Sequence, residues 1–166
     1  MRWLVFLAAF LILPLTGFAY SNAKDQYSTA ACTFQDGKQI SVRYERAPVA
    51  KNERLPLGEL WPKNSASMYL FTQGAVSVGN SEIPLGAFSI YFVPEKEHWT
   101  LVLNKNVKPD TPYDQQQDLL RVPMEIGQLG QPLEQVKIAF GHVAPKQCNM
   151  RIYYGAIASW AEFHEK

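Results

Sequence analysis

Residues 87–93 read AFSIYFV, residues 98–104 read HWTLVLN, and PEKE joins them at 94–97. Successive side chains of a strand point to opposite faces. Phe88, Ile90 and Phe92 therefore share one face of the first segment, and Trp99, Leu101 and Leu103 share one face of the second. Two such segments around a short polar turn predict an antiparallel hairpin whose apolar faces belong to one core.

The same alternation continues in both directions. Ala31–Gln35 and Lys38–Tyr44 flank Asp36-Gly37, a strong hairpin signal because tight hairpin turns need left-handed backbone. Further strands are predicted at Ala66–Thr72, Ala75–Val78, Leu119–Ile126, Glu134–Val143, Cys148–Tyr154 and Ala156–Phe163. Pro123 lacks a backbone donor, which predicts an edge strand there. Pro48, Pro56, Gly58 and Pro62 make 46–64 a long loop, with Leu55, Leu57, Leu60 and Trp61 plugging it to the body. Residues 105–117 read as a polar loop, and no helix is expected. The predicted class is all-β: a single antiparallel β-sandwich of roughly nine to ten strands over 31–166, behind a flexible arm at 20–30.

The N-terminus reads differently. Arg2 precedes an unbroken apolar run from Trp3 to Leu13, Pro14 ends it, and Gly17 and Ala19 supply small residues before a cleavage point. This is the pattern of a secretory signal peptide over 1–19, cut after Ala19 or, as second choice, after Ala23. The run is shorter than the roughly 20 residues a spanning helix needs, so no membrane span is expected after cleavage. The expected location is periplasmic or secreted.

Removing the first 19 of 166 residues leaves 147, enough for one core. The chain has 16 basic and 15 acidic residues. Loss of Arg2 makes the mature product neutral, and no basic run is present. That argues against nucleic acid as a partner. Two cysteines, Cys32 and Cys148, would meet an oxidising compartment, and a disulfide between them is favoured over two separate thiols.

Catalytic patterns are weak. His98, His142 and His164 form no closely spaced pair; a metal at His98 and His142 requires the fold to bring them together with a carboxylate. Asp110, Asp114 and Asp118 recur every four residues, but Pro109 and Pro112 oppose a helix, and the spacing misses a calcium loop. There is no Gly-x-Ser-x-Gly. Aromatic residues make up 13% of the chain and cannot all point inward. An aromatic surface suits sugar rings, apolar ligands or a partner protein.

One longer pattern spans Ile83-Pro84-Leu85-Gly86-Ala87-Phe88-Ser89, Pro94, Trp99 to Lys105, Tyr113-Asp114 and Asp118 to Val122. From about Leu57 to the C-terminus, this resembles the bacterial exported family catalogued as domain of unknown function 2911. The resemblance implies an all-β domain behind a signal peptide and implies no activity. Typical members follow the loop tryptophan with arginine-threonine-glycine-alanine-asparagine. Here Trp61 is followed by Pro62-Lys63-Asn64-Ser65. Lys63 and Asn64 are the nearest stand-ins, and lysine cannot reproduce a bidentate arginine fork.

The expected function is a non-catalytic binding or interaction module of the cell envelope, with no cofactor. Its ligand residues are expected at Trp61, Lys63, Asn64, Trp99 and Lys105, and its partner is a small molecule, a glycan or an envelope protein. The alternative is a hydrolase whose acid, base or metal-binding groups meet only in the fold.

Overall fold

A computed structural model describes residues 26–50 and 55–166. The signal peptide expected over 1–19, both cleavage positions and residues 20–25 of the expected arm lie outside the described residues. Among those described, eleven strands follow one another: β1 (Tyr27–Thr33), β2 (Gln39–Glu45), β3 (Met68–Thr72), β4 (Val76–Val78), β5 (Ser81–Ile83), β6 (Gly86–Pro94), β7 (Trp99–Asn104), β8 (Asp118–Gln128), β9 (Lys137–Ala144), β10 (Gln147–Tyr154) and β11 (Ile157–Glu165). A single 3-10 turn at Gln115–Gln117 is the helical element among them. β1 begins at Tyr27, so the last residues of the expected arm are strand.

The deciding hairpin forms with its apolar faces as expected, and its turn lies at Glu95–His98, one residue later than the expected 94–97. Ile90 faces Leu103, Phe92 faces Leu101, and Pro94 faces Trp99. The Glu95 N–H donates to the His98 carbonyl at 3.0 Å and closes the turn. Asp36-Gly37 also makes its turn, with Gly37 at φ 83° in the left-handed region. The stretch between the strands expected at Ala75–Val78 and 87–93 holds a further strand, β5. Gly79-Asn80 turns β4 into β5, a short hairpin that docks β4 on β11.

The strands are antiparallel throughout, but they form one continuous sheet rather than two separate ones. Its order is β1-β2-β3-β6-β7-β8-β11-β10-β9, with β4 and β5 attached at β11. The bend comes from β8. Its residues Asp118–Met124 pair with β7, whereas Glu125–Gln128 pair with β11. A strand that changes partners carries the sheet over its own core. β8 is therefore an inner strand in the sheet order and not the expected edge strand, although at Pro123 it pairs with β7 alone. The missing donor of Pro123 is tolerated because pairing with β11 begins only at Glu125.

The sheet nearly closes. β1 lies alongside β9 without joining it in a ladder. At one end the seam is stitched by the backbone: Pro48 bridges Gln135, the Val49 N–H donates to the Glu134 carbonyl at 2.8 Å, and the Val136 N–H donates to the Ala47 carbonyl at 2.9 Å. Cys32 on β1 and Cys148 on β10 form the expected disulfide, with Cα atoms 6.2 Å apart. The first strand of the sheet is thus tied covalently to β10, the neighbour of the last strand β9.

Inside lie Ile40, Leu70, Ile90, Phe92, Trp99, Leu101, Leu103, Met150, Ile152 and Phe163, all essentially without exposed surface. Each such side chain contributes about 1.5–3 kcal/mol by leaving water. The outer face of the deciding hairpin is covered as well. Tyr91 and Val102, on the side opposite Phe92 and Leu101, are equally buried. The 105–117 loop folds over them, and Tyr113 meets Tyr91 edge to face at 5.0 Å.

Candidate functional site

Two places gather chemistry: an apolar groove at one end of the sheet, and a polar network beneath the 105–117 loop.

The groove starts from local turn chemistry. Gly155-Ala156 turns β10 into β11, with Gly155 at φ 56°, a conformation that glycine adopts without strain. The segment after β8 is stitched onto this turn. The Leu129 N–H donates to the Ala156 carbonyl at 2.7 Å and the Leu133 N–H to the Gly155 carbonyl at 2.9 Å. These bonds hold Pro132 and Leu133 opposite Leu55 and Leu57. The result is a groove of about 820 Å³ with Tyr154 and Ile157 among its lining, and with Glu134 the one charged lining residue among the described residues. Leu57 is 51% exposed at its mouth. A second groove, about 840 Å³, lies across the same 132–134 ridge and is more polar, lined by Ser28, Tyr44, Arg46 and Lys137 among others.

Trp61 stands beside the apolar groove. Its backbone exchanges two hydrogen bonds with Phe92, at 2.7 and 2.8 Å, taking the place along β6 that β3 vacates. Its ring meets Tyr154 edge to face at 5.4 Å and Phe92 at 6.1 Å. Trp99 lies on the other side of Phe92, at 6.0 Å, and is wholly buried. Trp61 and Trp99 are therefore linked through Phe92, and only Trp61 reaches the surface. Lys63 is exposed and pairs with Glu59 at 2.6 Å, and Asn64 is exposed beside it. Lys105 belongs elsewhere. It follows Asn104, which pairs with Ser89, three residues or about 10 Å along β6 from Phe92. The fold does not bring it to Trp61.

The histidines stay apart from one another's chemistry. His98 pairs with Glu95 at 2.7 Å in the β6–β7 turn, and His142 is exposed on β9. Among the described residues, no group of three or more His, Cys, Asp or Glu side chains could hold a metal ion. The metal expected at His98 and His142 has no third ligand there. Neither groove is lined by a histidine.

The network under the loop is built around Asn104 and Asp118. The Asn104 amide donates to the Asp114 carbonyl and to Asp118 Oδ1, both at 2.8 Å, and its oxygen accepts the Asn106 N–H at 2.9 Å. Asp118 Oδ2 accepts from the Tyr113 hydroxyl at 2.7 Å and from Arg121 Nε at 2.9 Å. Arg121 also donates to the Tyr113 oxygen. Burial pushes the Tyr113 hydroxyl up to about 12, and the hydrogen bond and charge of Asp118 add to the effect against the opposing pull of Arg121. Every one of these polar groups is answered by another. The acid expected in a solvated loop at Asp118 is instead the centre of this network, and Asp114 caps the 3-10 turn by accepting the Gln116 N–H at 2.9 Å.

Ser89, Asn104, Tyr113, Asp114, Asp118 and Arg121 all belong to the pattern that carried the family resemblance, and here they converge around the 105–117 loop, with Asp114 and Arg121 at its exposed rim. The family model described as "Protein of unknown function (DUF2911)" matches residues 25–160. The chain belongs to that family. No curated protein and no solved structure matches it. In this member of DUF2911, the recognisable residues build the scaffold, and the groove is lined by others. Leu55, Leu57, Leu133 and Ile157 were legible only as apolar residues near prolines or strand ends. The signal that could have singled them out is an excess of leucine in a proline-rich loop that has no strand to join.

Proposed function

We propose that this protein is a non-catalytic binding module, exported to the periplasm or secreted, that takes a small apolar ligand in the groove beside Trp61. The observation that carries this reading is the groove lining. Tyr154, Ile157, Leu55, Leu57, Pro132 and Leu133 offer an apolar wall with, among the described residues, one carboxylate, that of Glu134. Ligand sites are concave and mostly apolar with few polar groups. A hydrolase would need acid and base groups in the cavity, and the histidines and the Asp118 network lie outside it. The apolar N-terminal run and the Cys32–Cys148 bridge support export. Among the described residues, no helix is long and apolar enough to cross a membrane.

The test uses N-phenyl-1-naphthylamine, a neutral apolar fluorophore. Binding in the groove brightens the probe and quenches tryptophan emission, since Trp61 touches Tyr154. Leu57→Asp and Leu133→Asp place charges on the lining and are expected to weaken binding at least about tenfold, the effect of some 1.4 kcal/mol. Failure of the wild-type protein to bind the probe, or unchanged binding in both variants, would rule out this site.

A further inference from the structure

The outer face of β8, β11, β10 and β9 carries a different surface, and strand register sets its rows. Glu125, Trp160, Arg151 and Ala139 stand side by side in one row, and Gly127, Ala158, Tyr153 and Lys137 in the next. Trp160 and Tyr153 are diagonal neighbours, with Cβ atoms about 7 Å apart. Trp160 is seated on the sheet. A Cβ on Gly127 would meet its ring at 3.2 Å, so the indole folds down over the glycine. Both rings are half-buried and keep part of their surface open to solvent. None of the exposed large apolar side chains among the described residues belongs to these two rows.

Charge flanks the tryptophan. Glu125 and Arg151 are both exposed and stand on opposite sides of Trp160, each directly across a strand pair. Arg151 is anchored from one side: its Nε donates to Oδ1 of the buried Asn149 at 2.7 Å. Neither its Nη groups nor the Glu125 carboxylate has a hydrogen-bond partner among the described residues. Arginine only donates and a carboxylate only accepts, whereas a sugar hydroxyl does both. The two charges oppose each other across the ring, so a charged ligand gains at one what it loses at the other.

We infer that this face binds a neutral glycan chain. One pyranose ring stacks its C–H face on the electron-rich face of Trp160, the next meets Tyr153, and hydroxyls of the first reach Arg151 and Glu125. An extended chain suits an open sheet face, whereas a compact ligand needs a concavity. Glu125, Arg151, Tyr153 and Trp160 line neither groove, so this site is separate from the apolar one.

The test is isothermal titration calorimetry of the intact protein with cellohexaose, chitohexaose and maltohexaose. Hexagalacturonate and the chitosan hexamer serve as anionic and cationic counterparts. At least one neutral hexamer is expected to bind with a Kd of about 0.1–1 mM, the range of a few contacts on an open surface. Neither charged hexamer should bind more tightly than that one. The neutral three differ in linkage and in the 2-substituent, so their ranking identifies the glycan class. Trp160→Ala should weaken binding about tenfold, the effect of one stacked ring. Because Trp160 also covers Gly127, a second variant leaves the ring in place: Glu125→Ala with Arg151→Ala, both at exposed positions, should lose about as much through the missing charged hydrogen bonds. Circular dichroism checks that each variant is folded, and the double variant decides if Trp160→Ala is not. Absence of heat from every neutral hexamer, tighter binding of a charged one, or unchanged affinity in either folded variant would overturn the glycan site.

Discussion

Trp61 and Tyr154 meet edge to face at 5.4 Å, joining a loop that continues the β6 ladder to the last residue of β10. The contact spans the two halves of the sheet at the end where the apolar groove opens. Through Phe92 it extends to Trp99, so four aromatic rings run from the groove wall into the core. Aromatic pairs of this kind contribute about 0.5–1.5 kcal/mol each beyond the area they bury.

Removing Trp61 should therefore affect stability and binding together. Trp61→Ala is expected to cost about 2–3 kcal/mol, below the usual 3–5 for a fully buried tryptophan because this ring is half-buried. Trp61→Phe keeps an aromatic ring against Tyr154 and should lose less than half of that. Urea unfolding monitored by circular dichroism measures both. A Trp61→Ala protein as stable as wild type would show that the loop does not close the end of the core.

Asn104 offers a sharper test of the covered network. It has 1% of its surface exposed and bonds to two acceptors and one donor. Asn104→Ala strands the Asp118 oxygen and the Asn106 N–H, so a loss of about 2–3 kcal/mol is expected. Asn104→Asp should do no better, since it brings a second carboxylate to Asp118. Equal stability of Asn104→Ala and wild type in denaturant would show that water replaces the amide without cost.

How much of this was legible in the sequence depends on the element. The faces of the β6–β7 hairpin were readable, and its turn to within one residue, because Phe88, Ile90 and Phe92 alternate strictly and the turn is short. The continuous sheet was not. Its bend lies in the change of partner at Met124 and Glu125, and nothing in the alternation of β8 marks it. Alternation puts Tyr91 on the side opposite Phe92, yet it is buried as well. Periodicity assigns a side chain to a face, but not the loop that later covers that face. Trp61 was found, since a tryptophan in a proline-rich loop must pack somewhere. Lys105 was placed with it, but Trp99 opens β7 and Lys105 follows its last residue, so the two lie at opposite ends of that strand.

The Cys32–Cys148 bridge closes a separation of 116 residues across the unladdered β1–β9 seam. The chain-entropy view gives about 4.7 kcal/mol for a loop of that order. Cys32→Ser with Cys148→Ser should lower the unfolding free energy by up to that amount, and the oxidised protein should weigh two hydrogens less than the reduced one. An unchanged denaturation midpoint on reduction would show that the backbone bonds at Pro48 and Gln135 hold the seam unaided.

Alkaline pH should weaken the fold through Tyr113. Its folded pKa is raised from 10.0 to about 12, chiefly by burial and then by Asp118. A group whose folded pKa lies above its unfolded value favours the protonated, native form. The contribution is fully present below pH 10 and is lost as pH rises from 10 to 12. Burial likewise raises Tyr69 and Tyr91, which adds in the same direction. Denaturation midpoints measured from pH 8 to pH 12 should fall steeply above pH 10. Tyr113→Phe cannot titrate there, so its decline over that window should be shallower, although at pH 8 the variant starts lower for want of the bonds to Asp118 and Arg121. Absorbance at the tyrosinate band in the folded protein should show a late phase near pH 12 that is missing in Tyr113→Phe. Parallel pH profiles for the two proteins would assign the alkaline loss to other tyrosines and remove Tyr113 from the explanation.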